Sequence, residues 1–493
     1  MDLLVHDSCR ICGLLDRNPL IGNKMIRRWF HREEVKKEGW SLDDELMKFT
    51  CLDGKAVHEI PWNIRHACEG LQIFGGTGSG KSSGTGRAVA LAMLRAGFGG
   101  LVLCAKPDEA EVWRQLANEA GREGDLLLFS PESGYSFNFL DYEMTRPGRG
   151  GGITENVVSV LMQCAEVASG IRNAEDDIWE KAMRQLLRNA IDLCRLAGEP
   201  VRMATIHQIA LGGGMLDELL GAVDSRELSD GDRKDYFSVR RYFHDEWAMM
   251  ADRTKSGIIM NLTAVCDPFL RGALRDLFCE GTTVTPEAAQ EGKILVVDLP
   301  VKTFNEMGTF AAVIWKFLFQ RAAERRMAND LARPLFIFAD ESQYFVTSSD
   351  AVFQTTARSS RTATVYLTQN LPNYLAELGG SNGKARIDSL LGNLQTKIFH
   401  QNGDSETNRW ASELLTRSLQ MRSSISGSVA FRGGAQAGTS EQESWEFEVP
   451  PGVFLRLAKG GPDYRHVVTA VLFQSGRQFP NGRHWAQIVF QQK

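Results

Sequence analysis

The sequence predicts an α/β protein: a central, mainly parallel sheet covered by helices, with an all-helical domain inserted into it. Three observations predict this. Short apolar runs alternate with longer helical periods from Leu71 onward, the pattern of a parallel sheet with helices on its faces. A glycine-rich stretch, Gly75 to Ser82, separates one such run from a helix-forming one. A buried-type run, Leu335 to Ala339, ends abruptly in two acids, Asp340 and Glu341.

The candidate strands are Leu71 to Phe74, Gly100 to Cys104, Leu126 to Phe129, Ile294 to Asp298, Leu335 to Ala339, Ala363 to Thr368 and Thr396 to His400. Between the third and fourth no strand-like run occurs. Helical periods such as Ile178, Trp179, Ala182, Leu186, Leu187, Ala190 and Leu193 fill the interval instead. The predicted organisation is an N-terminal segment over 1–68, a first part of the α/β domain over 69–149, the helical insertion over 150–283 and a second part over 284–493. Glycines in Arg146 to Gly152 suggest a flexible entry to the insertion. Residues 420–444, rich in Ser and Gly, read as a mobile loop.

Bulk properties narrow the partners. At 493 residues the chain exceeds what one core usually organises. Its formal charge of -5 supplies no global basic field, so any nucleic-acid contact must be local. One local basic stretch runs from Lys24 to Lys37, as a solvated amphipathic helix or as a DNA or lipid contact. The apolar run from Phe310 to Phe319 is far shorter than the roughly 18 residues a membrane helix needs, and the start is no secretory signal. A cytoplasmic protein without direct membrane insertion is expected. The nine cysteines show no pairing rhythm. Cys9 and Cys12 form one CxxC, either reduced thiols or half of a zinc site that Cys51 and Cys68, or His6 and His66, would complete.

The chemistry sits in two places. Gly75, Gly76, Thr77, Gly78, Ser79, Gly80, Lys81 and Ser82, followed by Ser83, satisfy GxxxxGK[ST] between a strand and a helix. Glycines let backbone N–H groups wrap phosphate oxygens; Lys81 supplies charge at the β- and γ-phosphates, and the Ser82 hydroxyl joins the shell of Mg²⁺. Asp340 is the second metal-side group, and Glu341 the acid that polarises an attacking water. ATP and Mg²⁺ are therefore the expected ligands. Gln369, at the tip of the strand after the acids, is either a γ-phosphate sensor or a surface glutamine. Arg358 and Arg361, just before that strand, are candidates for an arginine presented to a neighbouring subunit or for a solvated turn.

These pieces resemble the conjugative coupling proteins of type IV secretion, within the FtsK and HerA group of RecA-like ATPases. The resemblance is carried by GGTGSGKS, GLVLCAKPDE, LLLFSPESGYSFNFLD, KILVVDLP, LFIFADE and TVYLTQN, in that order from about Leu71 to the end. It implies a P-loop ATPase that assembles as a hexamer on ATP or DNA and moves DNA, with a relaxase, secretion or defence partner. It also places Gln369 at the sensing position and puts Arg358, rather than Arg361, in the trans-acting role. Two features depart from the pattern: no pair of membrane helices opens the chain, and Lys106-Pro107-Asp108 stands where many members show Asp-x-Lys. Polypeptide as cargo, or a nucleotide-gated scaffold in mobile-element or phage-defence machinery, are the alternatives. Arg146 to Gly152 and residues 372–384 are the candidate polymer-contacting loops.

Overall fold

The computed structural model describes residues 39–53, 56–169, 176–379, 382–430 and 434–492. Cys9, Cys12, His6 and the Lys24 to Lys37 stretch lie outside them. Thirteen strands follow in chain order: β1 (Glu45–Asp53), β2 (Ala56–Asn63), β3 (Leu71–Phe74), β4 (Gly99–Leu103), β5 (Leu126–Phe129), β6 (Ile294–Val297), β7 (Leu335–Ala339), β8 (Thr362–Thr368), β9 (Thr396–Phe399), β10 (Arg417–Ala430), β11 (Gly434–Phe447), β12 (Val467–Gln474) and β13 (Trp485–Gln491).

Eleven strands make one sheet in the order β2-β1-β13-β12-β9-β3-β8-β7-β4-β6-β5. From β9 to β5 every neighbour is parallel. These are the strands legible as apolar runs, and burial on both faces is why they are continuous rather than alternating. The remaining edge is antiparallel, with β12 on β9, β13 on β12, β1 on β13 and β2 on β1. Where the sequence sets 1–68 apart, β1 and β2 thus extend the same sheet. β1 shows why they escape a search for apolar runs: it lies second from the sheet edge, and only Phe49 and Cys51 are buried, alternating with more exposed neighbours.

Successive residues of the central strands serve opposite cores. Leu101 and Leu103 of β4, with Leu335, Ile337 and Ala339 of β7, join one cluster. Val102, Phe336 and Phe338 join the other, which the helix Arg87–Arg95 closes with Val89, Met93 and Leu94. On the first face lie the long helix Glu306–Arg325 and, beyond it, the helices between β5 and β6. That interval holds helices from Phe139–Thr145 to Gly272–Phe278 and no strand among the described residues. Its apolar residues, among them Val157, Leu161, Leu187, Ile206 and Leu262, are continuous with the cluster on the sheet. Aromatic pairs bridge the two: Phe137 stacks on Trp315 at 4.3 Å and Phe129 meets Phe278 at 5.2 Å.

Two segments differ from the sequence reading. Within 420–444 the described residues form no irregular loop: β10 and β11 pair in continuous antiparallel register from Arg417↔Phe447 to Ala430↔Gly434. A polar ribbon needs only its backbone ladder, so no apolar alternation announces it. The entry Arg146 to Gly152 is likewise pinned. Buried Arg146 makes a bidentate pair with Glu143 at 2.7 and 2.9 Å, and Gly152 N donates to Glu143 O at 3.2 Å. A Cβ on Gly151 would stand 2.1 Å from Arg146 O, so this glycine serves close backbone approach rather than flexibility. Arg146 is consequently not free to meet a polymer. Among the described residues no helix is long and apolar enough to cross a membrane.

Candidate nucleotide site

The parallel registers set the geometry. β8 lies between β3 and β7, so the loop after β3, the tip of β8 and the acids after β7 meet at the carboxyl edge of the sheet, where ligands of open α/β sheets sit. Lys81 is buried, with Nζ 3.5 Å from Glu341 Oε1. The Ser82 hydroxyl donates to Asp340 Oδ2 at 2.7 Å. Gln369 reaches both oxygens of Glu341 with Nε2, at 3.4 and 3.5 Å, and its Oε1 accepts from the Thr77 hydroxyl at 3.4 Å. Ser83 accepts from Gln492 Nε2 at 2.7 Å, so the end of β13 touches the same turn.

Three features fit a triphosphate with a hard cation. Gly80 has φ +81°, and a Cβ there would meet Val468 at 2.5 Å, so the loop keeps its bare-backbone concavity. The Ser79 hydroxyl is buried in that loop without a partner. Ser82 and Asp340 offer adjacent oxygens of the kind Mg²⁺ prefers.

Glu341 is held for work as an anion. Burial acts to raise its carboxyl, but Lys81, Gln343, Lys106 and Gln369 outweigh this and keep it below the ordinary glutamate range. Its backbone is left-handed at φ +51°, a conformation that costs a side-chain-bearing residue and recurs at functional sites. The segment that follows is clamped from the core: buried Lys316 pairs with Asp350 and donates to Phe345 O, and Tyr366 of β8 donates to Asp350 at 2.8 Å.

Sequence reasoning missed Lys106. Its ammonium lies 2.9 Å from Asp340 Oδ2 and 3.3 Å from Glu341 Oε1. Burial acts to lower its pKa, and Asp340, Glu341 and Glu109 raise it further than burial lowers it. The available signal was a lysine directly past the carboxyl end of β4, on the ligand edge.

Arg358 is not part of this cluster. It precedes β8, whose seven residues put roughly 20 Å between its start and the site. Its guanidinium is largely exposed, 3.3 Å from Glu69 Oε1. Arg361 is buried instead, paired with Asp330 and donating to Trp40 O, which makes it an internal tie. Among the described residues no three His, Cys, Asp or Glu side chains converge on a metal position; Cys9, Cys12 and His6, needed for the zinc grouping with Cys51, Cys68 and His66, lie outside them.

His400, at the end of β9, is fully buried with Nε2 2.8 Å from the Thr85 hydroxyl. Burial, and then Lys81, push its pKa down to about 3. An unfolded histidine titrates near 6.5, so as pH falls below about 6.5 the unfolded chain binds more protons and stability is lost. Between pH 7 and 5 this single group costs about 2 kcal/mol. His400→Gln should therefore lose less of its urea stability over that interval than the native chain; equal losses would contradict the assignment.

No protein-family model matches the chain, nor does any curated protein. Solved structures do. The bacterial conjugative coupling protein TrwBΔN70, in a trigonal form with sulphate, superposes with a TM-score of 0.62 at 16% identity over 92% of this chain and 96% of that one. Its unbound monoclinic form gives 0.60 at 15% identity, covering 94% and 90%. The plasmid coupling protein TrwB in complex with ADP and Mg²⁺ gives 0.60 at 15%, covering 92% and 96%. This is the fold of a conjugative coupling protein. The coupling-protein fold extends over nearly the whole described chain, so the antiparallel edge and the helices between β5 and β6 belong to it together with the parallel strands.

Proposed function

We propose that the chain is an Mg-ATP-dependent DNA translocase of the coupling-protein type, working as a ring, with six subunits as the assembly that the sequence resemblance implies. The observation that carries the reading is the meeting of Lys81, Ser82, Asp340, Glu341 and Gln369 at one sheet edge in a coupling-protein fold. TrwB structures with an ATP analogue and with ADP and Mg²⁺ support the choice of nucleotide.

In this mechanism the loop backbone and Lys81 hold the phosphates. Ser82 and Asp340 would hold the metal, which when bound would neutralise phosphate charge. Glu341, already ionised, accepts a hydrogen bond from the attacking water and orients it in line. Gln369 touches both Glu341 and Thr77, so a change at the γ-phosphate alters its partners and passes into β8. Arg358 is too far from its own site and serves a neighbour's. DNA is held through phosphate contacts that are indifferent to sequence and weakened by salt.

The test is ATP hydrolysis by the full chain with and without single- and double-stranded DNA. Wild type should be stimulated, with the stimulation falling as salt rises, and Lys81→Ala should be inactive throughout. Hydrolysis that ignores both DNAs but responds to unfolded polypeptide would replace DNA by a polypeptide cargo. Nucleotide-dependent assembly without turnover would make the protein a nucleotide-gated scaffold.

A further inference from the structure

The candidate site contains two ammonium groups, and the P-loop accounts for one of them. Lys81 Nζ stands 3.5 Å and Lys106 Nζ 3.3 Å from the same oxygen, Glu341 Oε1. They arrive from different elements, Lys81 from the loop after β3 and Lys106 from the end of β4. The Lys106 backbone is fixed at the residue before it. Ala105 N donates to Glu109 Oε2 at 2.7 Å, and Lys302 N donates to Ala105 O at 3.0 Å. Its side chain is less constrained, being 38% exposed, with Asp340 at 2.9 Å, Glu341 at 3.3 Å and the carboxyl of Glu109, which burial pushes up to about 8, at 3.8 Å.

Asp340 and Glu341, the two acids nearest Lys106, put negative charge at the place where a γ-phosphate must enter. A nucleotide ending at the β-phosphate extends as far as Lys81. One phosphate more brings further negative charge up to Glu341, where repulsion would oppose it unless a cation lies on the acid side as well. A lysine is suited to this, since it binds phosphate as a compact charge on a flexible stem that can change partners. Asp340 can release Lys106 because Ser82 and Asp340 together present the metal-binding oxygens.

We propose that Lys106 is a γ-phosphate contact: it rests on Asp340 and Glu341 while the site lacks nucleotide and moves onto a γ-phosphate oxygen when ATP binds. It thereby separates ATP from ADP. This deepens the nucleotide-binding reading above and rests on it.

The test is calorimetric binding of Mg-ADP and of the non-hydrolysable ATP analogue ADPNP with Mg²⁺, on the full chain and its Lys106→Met and Lys106→Arg variants. Because the comparison is the ratio of the two affinities within each variant, a partly unfolded sample does not distort it. Lys106→Gln takes the place of the methionine variant should that one not fold. Lys106→Met should bind ADPNP about tenfold more weakly, the loss of one charge-assisted hydrogen bond, with ADP affinity unchanged. Lys106→Arg should restore most of the difference. Equal weakening of both nucleotides, or ADPNP affinity that is unchanged or raised, would overturn the proposal and leave Lys106 as a tether of the acid pair. Failure of the wild-type chain to bind either nucleotide would instead remove the nucleotide site itself.

Discussion

Glu341→Gln should lower steady-state ATP turnover by about 10³-fold, the scale of a lost general base, while ATP binding persists. Glutamine has the shape of the native side chain and keeps a carbonyl oxygen, so the left-handed turn at Glu341 and its packing are preserved. It cannot carry the charge. In the native site that charge is maintained against burial by Lys81, Gln343, Lys106 and Gln369, an arrangement that serves an anion facing water and has no use for a neutral amide. Removing it also removes repulsion between Glu341 and the γ-phosphate, so affinity for ATP should hold or rise. Phosphate release together with equilibrium ATP binding checks both halves. Turnover within tenfold of wild type would take Glu341 out of its role, and loss of binding in step with loss of turnover would make it a structural residue.

The parts of this site that sequence exposes are those whose chemistry forces an unusual local pattern. A loop that must wrap phosphate needs glycines in fixed positions, and a strand buried on both faces needs an unbroken apolar run that stops where the ligand begins. Gly75 to Ser82 and Leu335 to Glu341 are legible for those reasons, and the seven parallel strands for the second alone. Lys106 carries no such mark. One lysine after a strand is common, and its importance comes from β4 lying beside β7, which only the sheet order reveals.

The same limit explains Arg146 to Gly152. Glycines permit either motion or close approach, and the choice depends on Glu143 and the Arg146 carbonyl, both supplied by the fold. β1, β2, β10 and β11 escape a search for apolar runs because strands at or beside a sheet edge and polar ribbons are held by backbone pairing more than by burial.

Arg358→Ala should abolish turnover, by about 10³-fold or more, without weakening ATP binding, and the loss should be repairable by a second inactive variant. The residue cannot reach its own site: it lies before β8, at the amino edge of the sheet, whereas Lys81, Asp340 and Glu341 gather at the carboxyl edge. Nor does the fold depend on it, since its ion pair with Glu69 is formed by a side chain 59% exposed, and such pairs contribute little to stability. An effect on turnover must then pass through another subunit. In Lys81→Ala every nucleotide loop is disabled but every Arg358 is present; in Arg358→Ala the loops are intact but the arginines are missing. When the two are mixed, a Lys81→Ala subunit can present its arginine to an intact site on its neighbour, so activity should appear that neither variant has alone. Its dependence on mixing ratio should follow the frequency of such neighbour pairs. A mixture as inactive as its components would exclude action between subunits, and full turnover in Arg358→Ala by itself would show that no arginine at this position is needed.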